Sequence, residues 1–264
     1  VAAPVAGASG THAAAPSDVA AVAYAADWHK RLGEWPLPLP RFRLELATTA
    51  LLIVDMQYGS VDADHGAGPY LRERYPATAA YYYSRVRDAV IPNTARLLHF
   101  FREARRPVVY LTVGYNLPDR SDALGLTRQI DDDLKSRTAG GPMVRRGSHG
   151  NTIITEVAPQ DGELVLNKTS RGAFNSTSID QLLRNLGVKG LVVTGVSTEC
   201  CVATTAHDAS DRGYQVLLVE DACTAVTPYY QESSLAIFAA MFGRVANTEE
   251  ALRELQEISP ASHG

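Results

Sequence analysis

From residue 48 onward the chain alternates between two patterns of apolar positions. Short unbroken apolar runs occur at 50–55, 107–113, 163–167, 190–196, 215–221 and 244–247, and amphipathic stretches of helical spacing lie between them. An unbroken run suits a strand buried on both faces, and alternation of such strands with helices is the mark of a parallel sheet with crossover helices. The spacing predicts helices near 83–104, 176–186, 200–212, 230–241 and 248–257. Six strands fit one doubly wound sheet of the α/β class, and right-handed crossovers put its helices on both faces. Two longer insertions, 58–82 and 114–162, are rich in Gly, Pro, Tyr and charge. Both follow carboxyl ends of predicted strands, where open α/β sheets bind ligands.

Ahead of this region, residues 1–16 are mostly Ala, Gly and Pro, with little to pack, and read as a flexible tail. Residues 17–47 read as an N-terminal helical arm. Ser17 and Asp18 can cap a helix in which Val19, Val22, Ala23, Ala26 and Leu32 fall at helical spacing, and "EWPLPLPRF" breaks it. The arm has three places to go: its own domain, a second subunit, or a position over the site.

Composition narrows the function. A chain of 264 residues that is 45% hydrophobic can bury a sizeable core, which excludes disorder throughout. A net charge of -4 offers no basic field for nucleic acid, so a small-molecule substrate is the better expectation. No apolar run approaches the roughly 20 residues of a membrane span, and the alanine-rich start lacks the basic n-region of a signal peptide. Three cysteines, Cys200, Cys201 and Cys223, are too few for a disulfide framework or a four-ligand zinc site. A reducing, cytoplasmic location is the natural expectation.

Strand interiors in such a sheet are apolar, so polar residues at strand ends carry the information. Asp55 closes "LLIVD", Lys168 closes "LVLNK", and Cys200 and Cys201 follow "LVVTGV". Each has a plain structural reading alone: a turn aspartate, a solvated lysine, a small core cysteine. An acid, a base and a thiol at carboxyl ends of one sheet can instead converge on one site.

The stretches "LLIVDMQ", "NKTSRGAFNSTSIDQLL" and "VTGVSTECCVATTAHDASDRGYQVLLVEDA" resemble the isochorismatase-like cysteine hydrolases, a family that includes nicotinamidase and the N-carbamoylsarcosine, ureidoacrylate and biuret hydrolases. The resemblance spans roughly residues 48–250, and the domain is expected over 48–258. It implies a three-layer α/β/α fold on a six-stranded, mainly parallel sheet, and a homo-oligomer, dimer or tetramer. It implies a catalytic triad of Asp55, Lys168 and Cys201. The family motif of Gly, aliphatic, small, Thr, two variable positions, Cys and Val runs from Gly195 to Val202, which puts the nucleophile at Cys201 and leaves Cys200 in a variable position. Helix N-terminal amides favour a thiolate at either cysteine, and helical neighbours lie about 100° apart, so only one is expected to face the site.

The resemblance also implies a cis peptide between Val196 and Ser197, which would turn the Ser197 N–H inward to form an oxyanion hole with that of Cys201. The expected reaction is C–N hydrolysis of a small amide, ureido compound or lactam through a thioester. Nicotinamidases add a metal site from an Asp-x-His motif after the second strand, but Tyr115 and Asn116 stand there here. Asp62, Asp64 and His65 read as a solvated turn, so neither metal nor other cofactor is expected. Isochorismate-cleaving relatives lack the cysteine, so Cys201 argues against that reaction. Gln57, Tyr115, Asn116, Arg171 and Phe174 are candidate substrate contacts. Tyr81, Tyr82 and Tyr83 suit a lid or a subunit contact. Two other classes remain in view: a thiol redox protein using Cys200 and Cys201, which a strained eight-membered ring disfavours, and a silent binding module, which the intact triad disfavours.

Overall fold

The computed structural model describes residues 27–135, 141 and 143–257. The expected tail at 1–16 and the capped helix around Ser17 to Ala26 lie outside the described residues. Six strands form one sheet: β1 (Thr49–Val54), β2 (Val108–Val113), β3 (Leu164–Lys168), β4 (Gly190–Val196), β5 (Gln215–Thr224) and β6 (Arg244–Ala246). Their order is β3-β2-β1-β4-β5-β6 and every neighbouring pair is parallel. The order reverses between β1 and β4, the place where doubly wound sheets open a crevice at their carboxyl ends.

Among the described residues, ten α-helices accompany the sheet: α1 (Trp28–Leu32), α2 (Tyr58–Val61), α3 (Gly68–Arg74), α4 (Pro76–Arg85), α5 (Ile91–Glu103), α6 (Gly125–Lys135), α7 (Ile179–Asn185), α8 (Ala203–Asp211), α9 (Pro228–Met241) and α10 (Thr248–Glu257). The pleat of β1 divides the core in two. Ala50, Leu52 and Val54 pack with residues of α7, α8 and α9, whereas Leu51 and Ile53 pack with residues of α4, α5 and α10. The predicted three-layer arrangement is therefore the observed one, with a sheet that is parallel throughout.

Several boundaries differ from the sequence expectation for physical reasons. The helix expected at 83–104 begins at Pro76 and contains a π turn, Val86–Val90, before α5. Pro92 has no N–H to return to the Asp88 carbonyl, and the widened turn, in which Ile91 N–H bonds Val86 O, carries the helix past it. The insertions hold α2, α3 and α6, short helices that no long apolar period announced. Trp28 is buried in the core layer of α9 and its indole N–H donates to Glu220, so this part of the arm packs on its own domain. No helix among the described residues is long and apolar enough to cross a membrane.

Candidate active site

The three strand-end features meet in the crevice. Asp55 follows β1 in a left-handed backbone conformation, φ 52°, which an aspartate tolerates better than most residues. Its N–H still bonds Leu111 O at 2.9 Å, so the chain turns while remaining tied to β2. Lys168 ends β3, two strands away, and reaches across β2 to place Nζ 2.8 Å from Asp55 Oδ2. Both side chains are closed to solvent. Lys168 also donates to Ser170 O at 3.4 Å. The second Asp55 oxygen, Oδ1, is buried without a well-formed hydrogen bond, and the Cys201 thiol is the remaining neighbour that draws on the carboxylate.

Electrostatics follow from that burial. Loss of water pushes the Asp55 carboxyl above its ordinary value, and the Lys168 ammonium only partly opposes it. Burial acts against the Lys168 charge as well, but Asp55 and Cys201 outweigh it and hold the ammonium above its ordinary value. The Asp55 carboxyl thus has one cation beside it and little other solvation.

The cysteines open the helical stretch that becomes α8. Thr198–Val202 form a π turn, and Ser197 O accepts from both Cys200 N (3.0 Å) and Val202 N (3.3 Å). The Val196–Ser197 peptide is cis. The expectation that only one thiol faces the site is corrected: the wide turn leaves Cys200 and Cys201 both half-buried and both lining the same cavity. Interaction with the neighbouring Cys201 thiol draws Cys200 down, against burial and with help from Arg171. The same interaction, followed by burial and the Asp55 charge, pushes Cys201 up. Cys223 is wholly buried in the sheet and its thiol is pushed up by burial, which leaves it no part in the site.

The cavity holds about 330 Å³ and is lined by Asp55, Ser197, Cys200, Cys201, Tyr115 and Arg171 among others. Three candidate contacts are not brought to it. Gln57 is buried and spent on backbone: its Nε2 donates to Val113 O (3.0 Å) and Gly150 O (3.3 Å), and its Oε1 accepts from Val113 N (2.8 Å). It thus continues the hydrogen bonding of β2 where β1 has ended. Asn116 is exposed and bound to Asp122 through its backbone and side-chain nitrogens at 2.7 and 2.8 Å. Phe174 packs in the core against Tyr214, with the Arg212 guanidinium 4.9 Å from its ring centre.

Asp62 organises a turn, accepting from Asp64 N at 2.7 Å and pairing with His65 at 3.2 Å. Tyr82 and Tyr83, expected at a lid or subunit contact, are in the cavity wall, with Tyr82 Oη donating to Ser60 O at 3.1 Å. Sequence reasoning missed most of this wall, which comes from the insertions, and it missed Glu199. That carboxyl is largely buried, accepts from Val226 N at 3.1 Å through Oε1 and leaves Oε2 without a partner.

Comparison with known proteins identifies the family and the fold. Ureidoacrylate amidohydrolase RutB of Klebsiella pneumoniae is 28% identical over 226 residues, covering 81% of this chain and 89% of the relative. Maleamate amidohydrolase of Pseudomonas putida is 26% identical over 210 residues, covering 80% and 88%. The crystal structure of a cysteine hydrolase from Pseudomonas syringae pv. phaseolicola superposes with a TM-score of 0.68 at 26% identity, over 84% of this chain and 99% of that one. Residues 49–250 match the family described as the isochorismatase domain, and the chain, with its parallel six-stranded sheet and crevice between β1 and β4, belongs to that family of hydrolases.

Proposed function

We propose that the protein is a cysteine-dependent amidohydrolase that cleaves a C–N bond of a small amide, ureido compound or lactam through a thioester. The observation that carries this reading is the buried Lys168–Asp55 pair with its second carboxylate oxygen uncommitted beside Cys201, at the floor of a cavity. Asp55 Oδ1 takes the Cys201 proton as sulfur attacks the carbonyl carbon, forming the C–S bond. Charge develops on the carbonyl oxygen, for which the Ser197 and Cys201 amides are the proposed donors; Ser197 O is occupied by the amides on either side of Cys201 and not by Cys201 itself. Collapse breaks the C–N bond, and the departing nitrogen takes the proton from Asp55. Water then gives a proton to Asp55 and attacks the thioester, the C–S bond breaks, and the thiol is restored. Lys168 holds Asp55 in place and balances its charge. Tyr115 and Arg171 contact the substrate.

The named amide substrates of the relatives, ureidoacrylate and maleamate, support the choice of a C–N bond over other hydrolytic targets. The test is ammonia release from a panel of primary amides and ureido compounds, and the ring-opened amino acid from lactams, with acid quenching and peptide mass mapping during turnover. Either product together with an acyl adduct on the peptide carrying Cys201 is expected. Absence of both products from the whole panel, with reversible oxidation linking Cys200 to Cys201, would favour the redox reading instead.

A further inference from the structure

The cavity is divided by polarity, and the division follows the origin of its residues. All its charged or readily ionised groups, Asp55, Arg171, Cys200 and Cys201, come from the segments that leave the strands. Among the described residues, the two insertions contribute no charged side chain to the lining. They supply Leu71 from α3, Ile130 from α6, and Met143 and Val144 from the loop after it, with the hydroxyls of Ser60, Tyr82, Tyr115 and Thr127 as their polar groups, and Val226 also lines the cavity. The apolar character continues to the surface: Ile130 is 39% exposed while lining the cavity, and Leu126, one turn earlier on α6, is 56% exposed. Isolated exposed leucines are ordinary, but a continuous apolar path from a cavity to its mouth marks a ligand groove.

From this arrangement we infer that the substrate is an amide or ureido compound whose part remote from the scissile bond is uncharged and apolar, of the size of an aryl or branched alkyl group. The inference rests on the proposed hydrolase reading and specifies its substrate class. A carboxylate placed against Leu71, Met143 and Val144 would give up its water with no cation among the described insertion residues to meet it, which weakens its binding. An apolar group gains instead, by a factor of about four for each buried methylene. Size agrees: roughly 150 Å³ of apolar cavity is enough for benzene, and the whole space of about 330 Å³ leaves room for the carboxamide at the polar floor.

The test compares kcat/KM of the full chain for acetamide, isobutyramide, phenylacetamide and 3-phenylpropionamide with that for maleamate and succinamate. A rise of about 10²-fold from acetamide to 3-phenylpropionamide, with both anionic amides well below the latter, is expected. Replacement Met143→Ser or Ile130→Ser should lower the ratio of 3-phenylpropionamide to acetamide about tenfold. Ammonia release that is faster from maleamate or succinamate than from the phenyl amides overturns this inference and leaves the hydrolase reading standing. Where no amide of this set releases ammonia, calorimetric binding to the Cys201→Ser chain decides the cavity's preference, and the wider panel of ureido compounds and lactams decides the hydrolase reading. Tighter binding of 3-phenylpropionamide than of succinamate supports the apolar assignment; equal or weaker binding overturns it.

Discussion

Lys168 Nζ donates to Asp55 Oδ2 across 2.8 Å in a place that solvent does not reach. Burial has already pushed the Asp55 carboxyl upward, and Lys168 is the cation that limits the shift. In Lys168→Met the cation goes and the burial stays, so Asp55 loses its counter-charge, moves further up and is less available as a charged acceptor. Two outcomes are expected. Stability falls by about 3 kcal/mol in urea unfolding, because removal of one partner strands a buried charge. Any residual activity shows an acid limb of kcat/KM displaced to higher pH than in the wild type. Lys168→Arg should fare little better, since a planar guanidinium does not fit a site shaped for an ammonium.

The shared lining of Cys200 and Cys201 makes their separation an experiment rather than an assumption. Cys201→Ala is expected to lower kcat by at least about 10³-fold, as loss of a nucleophile does, whereas Cys200→Ala should retain activity within about tenfold. Labelling should show the opposite order. The neighbouring Cys201 thiol and Arg171 draw the Cys200 thiol down, and it lines the cavity, so iodoacetamide near neutral pH should alkylate Cys200 first. Peptide mapping reads both. Full activity in Cys201→Ala with loss in Cys200→Ala would reverse the roles of the two residues.

What the sequence revealed of this site has a physical boundary. Asp55, Lys168 and the cysteines stand out because the strand interiors around them are uniformly apolar, and a polar residue at such an end has few structural duties. Gln57 stands at an equally polar end and is spent differently, because the β2 backbone runs on past β1 and needs a partner at Val113. Asn116 and Phe174 likewise satisfy local needs, an Asp122 turn and the packing of Tyr214. The apolar wall was not legible at all. Leu71, Met143 and Val144 sit in irregular or short helical segments with no period to read, and only the folding back of both insertions brings them together. The doubled cysteine was half legible: motif spacing distinguishes the positions, but ideal helical geometry hides the π turn that opens the site to both.

Asp131 governs one part of that wall from outside the cavity. Its carboxylate is fully buried on α6 and receives Arg120 Nη1 at 2.8 Å, Lys135 Nζ at 2.6 Å and the Met143 N–H at 3.1 Å. Loss of these bonds frees Met143 and the end of α6 without touching the reacting groups. Asp131→Ala should therefore raise KM about tenfold and leave kcat nearly unchanged, the pattern of lost uniform binding. A fall in kcat of the same size as the rise in KM would place Asp131 in the chemistry instead.

Glu199 offers a pH signature separate from that of Asp55. Burial raises its carboxyl above the ordinary value, and the Val226 N–H offsets only part of this while Oε2 has no partner. The folded protein thus holds the Glu199 proton more tightly than the unfolded chain does. Its favourable contribution is complete below the unfolded value and is lost as pH rises through the folded one. Gln is neutral throughout. Glu199→Gln and wild type should unfold at similar urea concentrations near pH 4, and the variant should become relatively more stable toward pH 8. A difference that does not change with pH would mean that Glu199 titrates alike in the folded and the unfolded chain.

Gly195 is the point at which the crevice between β1 and β4 is set. Its φ of 113° is one that side chains rarely adopt, and a Cβ there would lie 2.0 Å from Val54 O, the carbonyl that precedes Asp55. Two costs are superposed: an unfavourable backbone and a collision with the strand that carries the base. Gly213 separates them, because its φ is 88° but a Cβ there meets nothing within 4 Å. Gly213→Ala should cost about 1–2 kcal/mol, the backbone cost alone. Gly195→Ala should cost more than about 4 kcal/mol or prevent folding, since β1 and β4 must part to admit a methyl group. Urea unfolding of both variants measures the difference. Equal losses would mean that β1 yields at Val54, and that the position of Asp55 over the cysteines depends on the Lys168 pair rather than on the close packing of these two strands.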